Sequence, residues 1–397
     1  MKIEITDSIY WLGVNDRRKE LFENMWPLPN GVSYNSYLIK DEKTALVDTI
    51  EMGSGSGYLS WIEQLLSGQE LDYLIINHME LDHSGEIGAV VRRYPNVKIV
   101  GNAKTFKILA GYYGITDNLL EVGDGSTLEL GHHCLKFVFT PWVHWPETMM
   151  TYDMTDGVLF SADAFGTFGT LDGGIFDDQI NFEYYREEMR RYYSNIVGKF
   201  SPMVQKALAK FAGLDINIIC PLHGPIWREN PGKVIDLYDR WSSYKSRDGV
   251  VLIYASMYGN TAQVADYIAR RLSINGVREI KVHDVSKSHL SYLISDIWKY
   301  RGVILGSCAY NTNMFPMMDS LTRELEHMTV KNKVLGLFGS YSWNGGGVRN
   351  LQTFAQTIGW EQVASAVDVF GTPTPEKLAA CDDLALAMAQ KLNQNGF

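Results

Sequence analysis

Cysteine is scarce in this chain. The four residues, Cys134, Cys220, Cys308 and Cys381, are scattered through 397 positions and form no CxxC pair. That argues against a thiolate zinc or iron–sulfur site and against a disulfide framework. Long hydrophobic runs are also missing. No uncharged apolar stretch approaches the roughly 18 residues that span a bilayer, and the opening segment from Met1 to Asp7 has no signal-peptide core. Positive charge is in deficit: 36 Lys and Arg against 46 Asp and Glu leave a net charge of −10, so no nucleic-acid-binding surface is expected. No low-complexity tract or internal repeat stands out. These absences leave a cytoplasmic protein with no nucleic-acid or membrane partner. What is present, 46% hydrophobic and 21% charged residues, is the composition of globular domains, and the length implies two of them.

The polar stretch Ser242-Ser243-Tyr244-Lys245-Ser246-Arg247-Asp248-Gly249 reads as a linker, giving domains 1–248 and 249–397. After it, strands and helices alternate. Val250–Ala255, Val303–Ser307 and Val334–Phe338 have the β-branched apolar character of buried parallel strands. Thr261–Ile274 has helical spacing, and a final helix over Pro375–Leu392 takes Thr374 as its N-cap. The pattern predicts an α/β, doubly wound parallel sheet. The first part opens with short strands (Ile9–Leu12, Ser36–Ile39, Ala45–Asp48), and its later strands alternate with helices. It predicts a mixed sandwich of two sheets with helices outside.

Strong ligand groups recur where those strands end. His78-Met79-Glu80-Leu81-Asp82-His83 packs two imidazoles and two carboxylates behind the apolar run Tyr73–Ile76. His144 lies in the loop after a strand ending near Thr140, Asp163 closes Val158–Ala162, and His223 follows Ile216–Cys220. Strand ends are where α/β folds converge side chains on one site. Four imidazoles and three carboxylates are too many for one tetrahedral ion and suit two divalent ions sharing a carboxylate. His132 and His133 sit at the start of a strand and are expected at the surface. His283, His289 and His327, in the second domain, are expected to be structural or exposed. No catalytic residue is assigned beyond the metal ligands.

Three strand-end loops of the second domain form another constellation. Ser256, Met257, Tyr258, Gly259, Asn260 and Thr261 offer hydroxyl, amide and backbone N–H groups at a helix N-terminus, a phosphate cradle without a P-loop lysine or a GxGxxG triplet. Ala309, Tyr310, Asn311 and Asn313 follow the next strand, and Ser342, Trp343, Asn344, Gly345 and Gly346 the one after. Aromatic and small residues there suit a flat ring bonded along its polar edge, so FMN is the expected cofactor.

The HxExDH run with His144, Asp163 and His223, followed by these loops, resembles the flavodiiron proteins, also called A-type flavoproteins, over essentially the whole chain. The resemblance implies a metallo-β-lactamase-like αββα sandwich followed by a flavodoxin-like domain. It implies one iron on His78, Glu80 and His144, another on Asp82, His83 and His223, and a bridging Asp163. Hydrolytic relatives usually carry HxHxDH and hold zinc; Glu80 adds a hard oxygen ligand and favours iron. Cys308-Ala309 departs from the Pro-Thr common in the family. No CxxC pairs follow, so no fused rubredoxin module is expected. The implied activity is reduction of O2 to water, of NO to N2O, or both. The implied donor is a rubredoxin, a flavin reductase or a reduced deazaflavin, and the implied assembly a head-to-tail homodimer or a dimer of dimers. Tyr184, Tyr185, Met149 and Met150 are candidates for the polar layer behind the ligands. Two other readings stand beside this one: a zinc hydrolase of metallo-β-lactamase fold with an attached flavodoxin-like domain, and a flavin electron carrier with a degenerate metal site.

Overall fold

Short runs of Ile, Val, Leu and aromatic residues form strands buried on both faces, and the residues between them set how those strands can pair. The computed structural model of the chain describes residues 3–394. Two compact units divide it, Met1–Ser242 and Ser243–Phe397.

In the first unit one sheet runs in the order Ile3–Glu4, Ile9–Trp11, Tyr37–Ile39, Ala45–Val47, Tyr73–Ile75, Lys98–Gly101, Leu119–Glu121. It begins as an antiparallel meander and becomes parallel from Ala45–Val47 onward. Parallel neighbours need crossovers, and helices Tyr58–Leu66, Ile87–Arg93 and Ala103–Tyr113 supply them. The second sheet runs Thr127–Glu129, Cys134–Phe139, Met149–Asp153, Val158–Phe160, Ile218–Cys220, antiparallel except for its last pair. Tyr37 of one sheet meets Phe160 of the other at a ring-centroid distance of 5.3 Å, and the Tyr37 hydroxyl donates to the Pro221 carbonyl. This is the expected αββα sandwich.

Register decides where the site forms. Val47, Ile75 and Val100 pair side by side, so their following loops leave the sheet at one edge. Phe160 and Cys220 pair in the same way in the second sheet. The loop between Phe139 and Met149 is tied to the first sheet by Met149 N–H donating to the Asn77 carbonyl at 3.0 Å.

The second unit is the expected doubly wound sheet. Its main strands run parallel in the order Ile280–Asp284, Arg247–Ala255, Tyr300–Tyr310, Val334–Tyr341, Val367–Phe370, the flavodoxin-like order. Val264, Ile268 and Leu272 of helix Asn260–Ile274 and Leu384 and Met388 of helix Pro375–Asn393 pack on Leu252, Ile304 and Phe338. Thr374 caps the last helix by accepting from Lys377 N–H. The polar stretch read as a linker is shorter than expected. Arg247, Asp248 and Gly249 belong to the first strand of this unit, because Arg247 pairs with Tyr300 ahead of a bulge that precedes Val250. Among the described residues no helix is long and apolar enough to cross a membrane.

Candidate metal and flavin sites

The run from His78 to His83 leaves the sheet after Ile75 and ends in a one-turn helix, Leu81–Ser84. Two buried carboxylates outside the expected ligand set hold it. Asp48 accepts from Asn77 N–H at 2.8 Å, His78 N–H at 3.2 Å and the Asn77 amide at 2.9 Å. Glu147 accepts from Met79 N–H and His78 Nδ1–H, both at 3.0 Å. Asp163 sits in a tight turn where Ala162 and Phe165 both have positive φ. His223 donates from Nδ1 to the Ser33 carbonyl at 2.8 Å. The chain then turns at Gly224, whose φ is +76° and where a Cβ would lie 2.2 Å from Thr167 Oγ1, so only glycine fits.

The structure brings these side chains into two adjoining groups, His78, Glu80, His144 and Asp163, and Asp82, His83 and His223. Within each, potential ligand atoms lie within 4.8 Å of one another. Asp163 serves both. Its Oδ2 is 3.1 Å from His144 Nε2 and 3.3 Å from His78 Nε2, while Oδ1 is 3.0 Å from His83 Nε2 and 3.6 Å from His223 Nε2. Glu80 Oε2 lies 3.1 Å from His144 Nε2 and 3.3 Å from His78 Nε2. Asp82 Oδ2 is 3.3 Å from both His83 Nε2 and His223 Nε2.

Burial opposes charge on the histidines, yet the carboxylates outweigh it. His78 and His83 are raised, chiefly by Asp163 and by Asp82 respectively, and His144 is pushed up to about 9 by Asp163 and Glu80. Burial likewise works against ionised Asp163 and Glu80, but the facing imidazoles hold both well below the usual carboxylate range. This mutual dependence is what a cation between the groups would satisfy.

Two details test the fit to metal. His83 Nε2 and His223 Nε2 approach to 3.0 Å, although two imidazoles facing nitrogen to nitrogen gain little unless both lone pairs point at a cation. Although imidazole nitrogens lie close, both Asp82 oxygens and Asp163 Oδ1 are buried and make no hydrogen bond among the described residues, which is costly for a carboxylate in any other role. The residues fit a pair of divalent ions with a shared carboxylate.

In the second unit, the loops after three parallel strands line one cleft. Of the expected residues it holds Ser256, Met257, Tyr258, Asn260, Thr261, Ala309, Asn311, Ser342, Trp343 and Asn344, and it adds Cys308, Thr312, Ser340 and Tyr341. No lining residue is charged. Ser256 Oγ accepts Gly259 N–H at 3.1 Å, and Thr261 Oγ lies 2.8 Å from Ser340 Oγ. Tyr258 and Trp343 are 93% and 75% exposed, free to stack on a flat ring. Gly259, Gly345 and Gly346 shape the loops without lining the cleft. A Cβ on Gly346 would lie 2.0 Å from the Thr312 carbonyl, so this glycine lets two of the loops approach. Tyr310 and Asn313 line a neighbouring depression between helices Pro316–Met328 and Gly347–Ile358.

Comparison with known proteins bears on both units. A family model described as ODP family beta lactamase matches residues 32–224, and one described as flavodoxin matches residues 252–390. The anaerobic nitric oxide reductase flavorubredoxin of Vibrio vulnificus (strain YJ016) is 33% identical over 371 residues, covering 92% of this chain and 75% of that protein. The chain belongs to the flavodiiron family. Among solved flavodiiron structures, rubredoxin oxygen:oxidoreductase from Desulfovibrio gigas superposes with a TM-score of 0.94 at 29% identity, covering 99% of both chains. The Giardia intestinalis flavodiiron protein gives 0.94 at 25% identity, covering 99% of this chain and 97% of that one.

Some residues around this flavodiiron site differ from expectation. His133 is buried, not at the surface. Its Nδ1 lies 3.0 Å from Asp153 Oδ2 and its Nε2 lies 2.6 Å from Ser8 Oγ, at the opposite end of the strands from the metal groups. Its position at a strand start hid this, because only the fold brings Ser8 and Asp153 to it. His283, with Asp296 at 2.8 Å, and His289, an N-cap, are structural as expected. Tyr184 is 39% exposed, and Tyr185 donates to the Thr170 carbonyl. Tyr192, two turns further along the same helix, is the tyrosine that meets the site. It is fully buried, 5.5 Å from the His223 ring, and its hydroxyl has no hydrogen-bond partner among the described residues. Burial, then Asp163, Asp82 and Glu80, keep its phenol protonated. Glu23 lies on an exposed hairpin tip, but its carboxyl end is desolvated and faces Glu80, which together push it up to about 7. Glu147, three residues after His144 in the same loop, could have been suspected from the sequence; Tyr192 and Glu23 carried no local signal.

Proposed function

We propose that this flavodiiron protein reduces O2, NO or both at a pair of irons. His78, Glu80, His144 and Asp163 would hold one and Asp82, His83, His223 and Asp163 the other, with electrons arriving through FMN in the cleft of the second unit. The observation that carries this reading is the pairing of a buried two-carboxylate-edged imidazole cluster in one unit with an uncharged, aromatic-rimmed cleft in the other. Iron supplies coordination positions for a diatomic gas, and iron and flavin together supply the four electrons for O2 or the two for a pair of NO molecules.

The chain's own side chains do the rest. Phe22, Phe168, Tyr34 and Tyr192 pack around His223 and its neighbours, walling that side of the site from water. The Tyr192 hydroxyl, without a hydrogen-bond partner among the described residues, is free to donate to an anionic oxygen or nitrogen. Glu23, pushed up to about 7 by burial and by Glu80, can carry a proton near neutral pH beside the ligands. Both reactions consume protons, so such groups are needed close by.

The names of relatives support both gases and point to rubredoxin as a donor class; a flavin reductase or a reduced deazaflavin would deliver electrons to the same flavin. Exposed apolar residues favour a head-to-tail homodimer: Met25, Met52, Leu81 and Trp142 around the metal groups, Met257, Tyr258 and Trp343 around the flavin cleft. Four free cysteines fit a cytoplasmic setting. The zinc hydrolase reading is not favoured, since it leaves the flavin cleft without a purpose. The deciding experiment supplies iron-loaded, FMN-replete protein with a reduced donor and each gas in turn. Consumption of O2, NO or both is expected, and turnover of neither would overturn the reading. Co-expressing a His78→Ala chain with a Gly346→Ala chain tests the dimer, because at limiting FMN mixed dimers should be more active than either parent.

A further inference from the structure

The two halves of the metal cluster are backed differently. Behind the first, His78 Nδ1–H donates to Glu147 Oε1 at 3.0 Å, and Met79 N–H meets the same oxygen at 3.0 Å. Glu147 is buried and lies three residues after His144, so one anionic group ties together both loops that bear this half's imidazoles. A carboxylate behind a ligating imidazole fixes its tautomer and orientation and makes Nε2 a stronger donor. Behind the second half, His223 Nδ1 has only the neutral Ser33 carbonyl, at 2.8 Å. His83 Nδ1 is buried and has no hydrogen-bond partner among the described residues.

We propose that the two metal positions bind unequally: the His78–Glu80–His144 position fills first and empties last, and the Asp82–His83–His223 position is the exchangeable one. The proposal rests on reading the cluster as a two-metal centre. Glu147 is a positioning residue in it, acting through His78. On its Nδ1 side the His83 ring has no hydrogen bond among the described residues, and it packs against Tyr34 and His223, so the second position gives up its metal with less disruption of the protein. The expected asymmetry is about 10–100-fold in affinity, the usual effect of an anionic partner behind a ligating histidine.

The test uses the full chain with FMN retained, stripped of metal and given one equivalent of Fe(II) per chain without oxygen. Anomalous scattering at the iron edge from crystals of that protein should place the metal mainly at the first position. Chelator competition on fully loaded protein should release iron in two steps, and Glu147→Gln should weaken the tighter step about 10–100-fold, merging the two. Equal filling, preferential filling of the second position, or an unchanged tight step in Glu147→Gln would each overturn the proposal. If the variant does not fold, the partial-loading experiment on the unaltered chain decides alone. Iron at neither position after full loading would instead overturn the two-metal reading, and the inequality with it.

Discussion

Stripping the metal should expose a pH-dependent stability that the loaded protein does not have. The clearest contributor is His144. Burial disfavours its charge, but hydrogen bonds to Asp163 and Glu80 and their negative charge raise it from 6.5 to about 9. A histidine whose folded value lies above its unfolded one adds stability that is fully present below about pH 6.5 and is lost as pH rises towards 9. A rise of about 2.5 units at about 1.4 kcal/mol each corresponds to about 3 kcal/mol, with the interaction counted once for the imidazole and its carboxylates together. Denaturant unfolding of the metal-free chain at pH 6.5 and pH 9 measures it, with FMN release marking the second unit's transition and so separating it from the first. The first transition should fall at the higher pH, and His144→Gln should remove part of that fall. The iron-loaded chain should follow neither trend, because metal-bound imidazoles stay deprotonated throughout. Equal midpoints at the two pH values in metal-free protein, or an unchanged slope in His144→Gln, would refute the reasoning.

Three substitutions separate the two units. Glu80→Ala should lower iron content while leaving FMN content intact; loss of both would indicate a folding defect. Gly346→Ala drives a methyl into the Thr312 carbonyl and should weaken FMN binding about 5–150-fold with iron content unchanged, since a buried backbone clash costs on the order of 1–3 kcal/mol; fluorescence of released flavin reads it. Tyr192→Phe removes a hydroxyl with no hydrogen bond among the described residues, so thermal stability and iron content should hold, whereas turnover should drop about 10–100-fold if the hydroxyl stabilises a charged group by about 1.5–3 kcal/mol. Steady-state rates with both gases check it.

Much of the fold was legible because its strands are continuous apolar runs. Val250–Ala255 and Val334–Phe338 needed only their composition to be placed as buried parallel strands. Boundaries were less readable: Arg247–Gly249 look like linker residues and become strand only because Tyr300 offers them a partner. The flavin loops were readable as hydroxyl and amide clusters after strands, but which of their residues line the cleft was not: Thr312 and Ser340 line it, whereas Tyr310 and Asn313 face a neighbouring depression.

The amino-acid order by itself determined the chemistry. Glu80 where hydrolytic relatives have histidine, the recurrence of ligand groups after strands, and the uncharged loops from Ser256 to Thr261 and Ser342 to Gly346 all lie in short stretches whose meaning is local. Tertiary structure alone decided how that chemistry is supported. Register brings the loop after Tyr73–Ile75 beside that after Cys134–Phe139, and only then does Glu147 back His78, the Tyr192 ring pack against His223, and His83 Nδ1 stand without a hydrogen-bond partner among the described residues. Those relations join residues tens of positions apart, and hydrogen bonds and desolvation depend on distance in space, which no pattern along the chain encodes.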